Sequence, residues 1–407
     1  MNARDAVVLG DLAGRALASI TGVIEDVHHA IRGRILGPVG DGGAPVGAAH
    51  DAIARPVYAT VRAALRSAAR LAGLGAALTR PAAAPALADS PRGALVTAAL
   101  AGLCGDRLHD HGGGLVAGMA WRGPHGVIAP GAAELREAFP QATGRLVVFV
   151  HGLGETEAAW SLGAPASGGT YGSRLEADLG FTALYARCNT GRHISDNAAL
   201  LAELLEATVA AWPVPVQKVV LVGHSMGGLI CDAAALVGAE RGHAWLAHLR
   251  HLVSLASPHH GAPLEKVVNA LSVALARVPE ARPLARVLNA RSAGIKDLRY
   301  GARHEREWGG HDADELLTDR REATASLPGV QCWSVAATLG RDADGLAARL
   351  LGDLLVRRAS AAGGGRRPAG GTTHHIPGAS HLAVLNHPEV DARLREWLGD
   401  RRAIVRT

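Results

Sequence analysis

The stretch Val219-Val220-Leu221-Val222-Gly223-His224-Ser225-Met226-Gly227-Gly228-Leu229-Ile230 decides the fold. The apolar residues before the serine have the pattern of a buried strand, and those after it have the pattern of a helix. Glycines flank the serine between them. The glycines two positions before and after Ser225 are needed because a tight, strained turn leaves no room there for a β-carbon. In a chain this rich in glycine, the Gly-x-Ser-x-Gly pattern alone is expected by chance roughly 0.2–0.3 times. The interpretation therefore depends on the strand and helix patterns on either side of it. They predict a corner that exposes the serine hydroxyl, in preference to a plain glycine-rich turn.

The composition is that of a globular protein with one large domain and an accessory region. The chain has 407 residues, of which 48% are apolar and 19% charged, and its net charge is +5. Basic residues are nearly all arginine and form no long run, and only 3% of residues are aromatic. These features argue against a nucleic-acid-binding surface. The four cysteines are scattered singly and lack metal-ligand spacing.

The N-terminus does not resemble a targeting segment. Met1-Asn2-Ala3-Arg4-Asp5 lacks the charged start and continuous apolar stretch of a signal peptide. No uninterrupted apolar run approaches the ~20 residues that a membrane span requires. We therefore expect a reduced, cytoplasmic protein.

Residues 1–105 are predicted to be helical, with a linker at Arg80–Ser90 that is rich in alanine and proline. Apolar residues recur every three or four positions at Val8, Leu12, Ala16, Ile20, Val23, Val27 and Ile31, and again at Ile53, Val57, Val61 and Leu65. The favoured interpretation is a helical cap on the following domain. The alternative is peripheral contact with a membrane or lipid surface through these helices.

From residue 106 to 407, short apolar strands alternate with helices, as in a parallel sheet with crossover helices. The predicted strands are Leu115–Trp121, Leu146–Val150, Thr182–Ala186, Lys218–Val222, His251–Ala256, Val330–Ala336 and Thr372–Ile376. A helix is predicted over Asn197–Trp212, capped by Ser195 or Asp196. Residues 262–328 interrupt the alternation and are predicted to form a helical lid. With the corner at Ser225, this pattern predicts an α/β-hydrolase fold: a mostly parallel central sheet flanked by helices, with an N-terminal helical region.

A serine nucleophile requires a base, and His381 is the best-placed histidine. It follows the last predicted strand in Gly378-Ala379-Ser380-His381-Leu382, where a loop can direct it at Ser225. His374 and His375 belong to the strand itself, and His387 precedes a proline at a helix start. His381 is therefore the predicted general base.

The base in turn requires an acidic partner between the serine and the histidine in the chain. Asp353 is the first choice because it is an isolated carboxylate in the apolar stretch Leu351-Gly352-Asp353-Leu354-Leu355-Val356. Asp342 and Asp344 lie nearer the preceding strand and are the alternatives.

The developing oxyanion needs backbone N–H donors. One is expected from Met226, directly after the nucleophile. The other is expected from Leu153, in the loop His151-Gly152-Leu153-Gly154-Glu155 after a predicted strand. His151 is interpreted as a buttress of this loop and His224 as a packing residue. The pair His259-His260 lacks further partners at metal-ligand spacing, so neither a metal nor a cofactor is predicted.

Several motifs together resemble bacterial lipase-like serine hydrolases, specifically the GPI-inositol-deacylase-like group of the α/β-hydrolase superfamily. They are His151-Gly152-Leu153-Gly154, Gly223-His224-Ser225-Met226-Gly227-Gly228, Ser257-Pro258-His259-His260-Gly261-Ala262-Pro263-Leu264, Cys188-Asn189-Thr190-Gly191-Arg192-His193-Ile194-Ser195, Gly352-Asp353-x-x-Val356 and Ser380-His381-Leu382. The resemblance implies an ester-hydrolysing triad of Ser225, Asp353 and His381. One departure is at the acid motif: the family has glycine after the aspartate, whereas this chain has Leu354.

The leading hypothesis is thus a lipase- or esterase-like enzyme that acts on apolar acyl or lipid esters. The same triad would also serve an acyltransferase, a thioesterase or a polyester depolymerase. A different class remains open: a non-catalytic binding protein with this fold at a membrane or granule surface.

Overall fold

The computed structural model describes residues 1–38, 43–81, 84–110, 115–116, 118–316, 319–322, 327–339, 356, 360 and 372–399. The chain forms two compact units. The helical unit comprises Met1–Thr97, Leu108–Leu115 and Val267–Arg291. The sheet unit comprises Ala98–Arg107, Val116–Lys266 and Ser292–Thr407.

The helical unit is built on an antiparallel pair of long helices, α1 (Ala3–Leu36) and α2 (Ala44–Leu78). A capping box begins α1, in which the Asn2 side chain accepts a hydrogen bond from Asp5 N at 2.9 Å. The two backbones approach closely where glycines face each other, because a β-carbon on Gly10 would lie 2.8 Å from the α-carbon of Gly73. The predicted helical character of this region is therefore observed.

Helix α1 differs from the sequence expectation in one respect. Although no uninterrupted apolar run occurs, its 34 residues include a window with a mean hydropathy of 1.5, so length and composition alone would allow it to cross a membrane. Only 17% of that window is buried. The reason is that single polar residues such as Asp11 and Arg15 interrupt the apolar run, whereas the alanine, valine, leucine and isoleucine residues around them keep the average high.

The sheet unit contains one eight-stranded sheet in the order β2-β1-β4-β3-β5-β6-β7-β8. Strand β1 pairs antiparallel with β2 and β4, and the remaining pairs are parallel. The strands are β1 (Ala120–Gly123), β2 (Gly126–Ile128), β3 (Arg145–Val150), β4 (Thr182–Arg187), β5 (Lys218–His224), β6 (Leu249–Leu255), β7 (Gln331–Thr338) and β8 (Thr372–Pro377). This mostly parallel sheet, flanked by helices, is the predicted α/β-hydrolase fold.

The further helices are α3 (Pro91–Asp110), α4 (Ala132–Ala138), α5 (Tyr171–Leu179), α6 (Ile194–Ala211), α7 (Met226–Arg241), α8 (Pro263–Ala276), α9 (Arg282–Asn289), α10 (Ala293–Asp297) and α11 (Pro388–Leu398). Apolar clusters cover both faces of the sheet, since Val148 belongs to the cluster with α6 and α7, whereas Val147 belongs to the cluster with α5 and α11. A strand buried on both faces needs the continuous apolar run seen in the sequence.

Two predicted elements begin three or more residues away from their observed start. Helix α6 begins at Ile194 and not at Asn197, and its capping position is His193 and not Ser195 or Asp196. The cap is supplied from far along the chain, because the Asp297 carboxylate accepts a hydrogen bond from Ile194 N at 2.8 Å. The first predicted strand, Leu115–Trp121, is also displaced: β1 begins at Ala120, where its pairing with Arg187 of β4 begins.

Candidate active site

Ser225 occupies a strained corner between β5 and α7. Its φ of 53° and ψ of −122° lie outside the regions that side-chain-bearing residues prefer, and α7 begins at the next residue. The corner is held by a hydrogen bond from Ser225 N to the Leu255 carbonyl oxygen at 2.8 Å. This geometry is that of a nucleophile elbow, which raises the hydroxyl out of the turn.

The glycines around Ser225 are required by contact. A β-carbon on Gly223 would lie 2.3 Å from the carbonyl carbon of Gly227, on the far side of the turn. A β-carbon on Gly228 would lie 2.0 Å from Ser257 Oγ. Both distances are far below van der Waals contact, so α7 can pack this closely on the end of β5 and on the segment after β6 only without side chains at these positions.

The loop after β3 lies beside the serine, because a β-carbon on Gly152 would be 3.0 Å from the β-carbon of Ser225. Within this loop, Gly152 N donates to Glu155 Oε2 at 2.8 Å and Gly154 N donates to Thr190 Oγ1 at 3.1 Å. The N–H group of Leu153 has no acceptor within the described part of the chain. It is therefore available to a ligand at the serine.

Met226 provides the second predicted donor. It is the first residue of α7, where helical N–H groups lack an acceptor inside the helix. No acceptor for it is found among the residues that the structure describes. The two predicted oxyanion donors are thus both unengaged beside Ser225.

His151 supports the loop from below and is fully buried. Its Nε2 accepts a hydrogen bond from Cys188 N at 3.1 Å, so the proton lies on Nδ1, which donates to the Gly152 carbonyl oxygen at 3.0 Å. Burial lowers the pKa of His151. A neutral histidine with both nitrogens engaged acts as a buttress, in agreement with the interpretation from sequence.

His381 lies at the start of a short 3₁₀ turn after β8 and is 6% exposed. Its ring centroid is 4.9 Å from that of His224, the residue before the nucleophile. Its carbonyl oxygen is 3.2 Å from His224 Nε2. The last loop of the sheet unit therefore brings the predicted base to the elbow.

Glu155 links this arrangement to the loop after β3. His224 Nδ1 lies 3.0 Å from Glu155 Oε2, the same carboxylate oxygen that accepts from Gly152 N. Burial disfavours the charge on Glu155, but the charge and hydrogen bond of His224 outweigh it and lower the pKa of Glu155 to about 2. The Glu155 carboxylate and the carbonyl oxygen of His381 are both hydrogen-bond acceptors, and they lie at opposite nitrogens of the His224 ring.

Asp353 and the alternatives Asp342 and Asp344 lie outside the described residues. The assignment of Asp353 therefore stays a prediction.

Polar side chains of the loop after β4 are held by contacts with other segments. Asn189 is buried and its amide donates to the Gly105 carbonyl oxygen at 2.8 Å. His193 stacks on Trp308 with ring centroids 3.5 Å apart and donates from Nδ1 to Asp297 at 3.0 Å.

His259 is fully buried beside Asp232 at 3.4 Å. Among the described residues, no group of three or more histidines, cysteines and acidic residues could hold a metal ion.

Sequence reasoning missed the roles of Glu155 and His224. Glu155 appeared only as the end of a loop motif, and His224 as a packing residue. Nothing in the sequence around Glu155 or around His224 indicates that the two side chains pair, because 69 positions separate them in the chain.

Comparison with known families gives one match. Residues 141–282 match the family model described as "PGAP1-like alpha/beta domain". For this segment, which includes Leu153 and Ser225 and ends before His381, the resemblance to the GPI-inositol-deacylase-like group is confirmed. No match is found among curated proteins.

Solved structures similar to this chain include several hydrolases. The mature form of the Bacillus licheniformis lipase BlEst2 is 18% identical, with 62% of this chain and 91% of that chain covered and a TM-score of 0.39. The RedJ thioesterase from the prodiginine biosynthetic pathway of Streptomyces coelicolor is 18% identical, with coverages of 63% and 91% and a TM-score of 0.36. Carboxylesterase CesB (YbfK) from Bacillus subtilis is 13% identical, with coverages of 64% and 84% and a TM-score of 0.34.

Proposed function

We propose that this α/β-hydrolase-fold protein is a serine hydrolase that cleaves carboxylic esters. The observation that carries the proposal is the strained Ser225, with the unengaged N–H groups of Leu153 and Met226 beside it. Backbone strain at a non-glycine residue persists where the surrounding structure imposes it, and such residues cluster at active sites.

The proposed mechanism uses an acyl-enzyme. His381 takes the proton of the Ser225 hydroxyl as Oγ attacks the carbonyl carbon, and the N–H groups of Leu153 and Met226 bind the resulting oxyanion. Collapse of the tetrahedral intermediate breaks the ester bond, and His381 protonates the departing alcohol. Water then attacks the acyl carbonyl carbon as His381 takes its proton. The bond to Ser225 Oγ breaks, His381 returns the proton to Oγ, and the carboxylic acid leaves. Asp353 would hold the ring of His381 in the correct tautomer.

We propose an apolar acyl or lipid ester as substrate. The predicted helical lid of residues 262–328 and the lack of a polar recognition motif in the sequence favour this class. The same triad would act on thioesters and aliphatic polyesters, and transfer to an alcohol would replace hydrolysis where an alcohol outcompetes water.

We also propose a cytoplasmic protein whose N-terminal helices contact a lipid surface. The support is a set of large apolar side chains at helical spacing, each at least 42% exposed: Leu17, Ile20, Ile24, Ile31 and Ile35 on α1, and Val46, Ile53, Val57, Leu71, Leu74 and Leu78 on α2. Co-sedimentation of the full chain with phosphatidylcholine vesicles tests this contact. Ile20→Gln with Ile24→Gln is expected to reduce vesicle binding while Ser67→Ala, on the same helical pair, is not. Equal binding by both variants would contradict the proposal.

The first experiment is the hydrolysis of p-nitrophenyl esters from acetate to palmitate by the wild type, Ser225→Ala and the surface control Ser67→Ala. Turnover that is lost only in Ser225→Ala is expected. A maximum at long acyl chains would support lipid substrates, and a maximum at acetate or butyrate would support short esters. An assay with an acyl thioester tests whether that bond is cleaved instead of an ester. An assay with added glycerol tests whether an alcohol, and not water, accepts the acyl group.

The second candidate is a non-catalytic binding protein, which the exposed apolar side chains of α1 and α2 would favour. It predicts no turnover of any ester and no covalent labelling of Ser225 by a fluorophosphonate probe. Labelling of the wild type but not of Ser225→Ala would exclude it.

A further inference from the structure

We propose that Glu155 and His224, which form a buried ion pair, are positioning residues. They hold the base His381 and the loop that carries Leu153 in fixed positions relative to Ser225. The inference rests on the proposed function and assigns roles to two residues outside the triad and the oxyanion donors.

The pair contacts each of the three segments that carry the site. Glu155 Oε2 accepts from Gly152 N at 2.8 Å, which holds the loop that carries Leu153. His224 lies on the elbow itself, immediately before Ser225, and its Nδ1 is 3.0 Å from the same carboxylate oxygen. Its Nε2 is 3.2 Å from the carbonyl oxygen of His381. One ion pair therefore joins the ends of β3, β5 and β8.

The contacts determine which groups face the substrate. Because Glu155 occupies the N–H of Gly152, the next N–H in the loop, that of Leu153, is left for an oxyanion. Because His224 binds the carbonyl oxygen of His381, this contact positions the base through its backbone and does not itself occupy the imidazole nitrogens. The pair thus supplies hydrogen bonds on both sides of the nucleophile, one to the loop after β3 and one to the backbone of the base.

Burial makes the arrangement rigid. The side chain of His224 is fully buried and that of Glu155 is 17% exposed. The ring of His224 lies next to those of Trp160 and His381, with centroids 6.5 Å and 4.9 Å away. Loss of either partner would leave the other charge buried without its counterion, so the pair acts as a unit.

The test compares Glu155→Gln, His224→Phe and the double variant with the wild type. The control is Asp391→Asn, which removes the carboxylate from another largely buried ion pair, with Arg174 (2.8 Å) between α5 and α11. Active sites are counted by fluorophosphonate labelling, and kcat and KM for the best p-nitrophenyl ester are expressed per labelled site. Thermal unfolding is followed for each protein.

Displacement of the reacting groups by a fraction of an ångström should lower kcat per labelled site by about ten- to hundredfold in each single variant, with KM within about threefold. The double variant should be no slower than the slower single variant, because the two residues act through the same contacts. Asp391→Asn should lower the unfolding temperature but keep the wild-type kcat. Glu155→Asp, which keeps the charge and shortens the reach, should be intermediate, and it decides the question if Glu155→Gln does not fold.

The inference would be overturned if kcat per labelled site stayed within twofold of the wild type in Glu155→Gln and His224→Phe. Where those variants do not fold, the same result in Glu155→Asp would overturn it. The ion pair would then have only a structural role. Independent, multiplicative losses in the double variant would also overturn it. If the wild type is neither labelled nor active on any ester, the proposed function itself fails and the inference fails with it. The wild-type result thus separates the two failures.

Discussion

Gly227 lies directly against the carbonyl oxygen of Val150, where a β-carbon on the glycine would stand 2.1 Å from that oxygen. This contact presses the first turn of α7 onto the end of β3. Since Ser225 begins that turn and the oxyanion loop follows Val150, the contact sets the spacing between the nucleophile and the predicted donor Leu153.

We expect Gly227→Ala to destabilise the protein strongly, because backbone on both sides must move to admit the methyl group. The loss should exceed the roughly 1–3 kcal/mol typical of overpacking in a core. The control is Gly75→Ala in α2, where nothing lies within 4 Å of the added β-carbon. That change should stabilise the helix by about 0.5–1 kcal/mol. Urea unfolding of both variants measures the difference, and similar midpoints would contradict the contact.

Replacement of the nucleophile or the base should abolish turnover and leave the fold intact. Ser225→Ala and His381→Ala should each lower kcat by about three to six orders of magnitude. Ser225→Ala should relieve backbone strain only slightly, since alanine also disfavours a φ of 53°. Circular dichroism checks the fold. Turnover that survives in His381→Ala at the wild-type rate would assign the base elsewhere.

The acid of the triad is decided by three matched substitutions. Asp353→Asn should lower kcat by about four orders of magnitude because His381 then adopts the wrong tautomer. Asp342→Asn and Asp344→Asn should retain the wild-type rate. The reverse pattern, with Asp353→Asn active and one of the others inactive, would move the acid to that residue.

Acidification should remove the stabilisation that Glu155 provides. Its pKa of about 2 lies below the ordinary value of 4.5, so its contribution is complete above pH 4.5 and is lost as the pH falls towards 2. A shift of this size corresponds to on the order of 3 kcal/mol.

The free energy of unfolding, measured at pH 5 and pH 3, should therefore fall more in the wild type than in Glu155→Gln, which has no carboxylate to protonate. Asp391→Asn serves again as the control for a buried ion pair outside the site. An equal fall in the wild type and Glu155→Gln would show that the carboxylate titrates at its ordinary pKa.

Most of the sheet could be predicted from sequence because its determinants are local. Strands buried on both faces require continuous apolar runs, so β3 and β5 were located within one or two residues of their observed ends. The corner at Ser225 was equally readable, since the glycines that it requires lie within three positions of the serine. Strand β2 was missed because Gly126–Ile128 is too short to show a pattern.

Contacts between residues far apart in the sequence were decided only by the tertiary structure. The cap of α6 was predicted from its own neighbours, Ser195 or Asp196, but comes from Asp297, 103 positions away. The same holds for Glu155 and His224, which pair only because parallel strands end at one edge of the sheet. Apolar periodicity and glycine spacing record what a residue needs from its neighbours in the chain. The partners of a buried charge are set by which loops the completed sheet brings together, and the sequence by itself does not contain that adjacency in any local pattern.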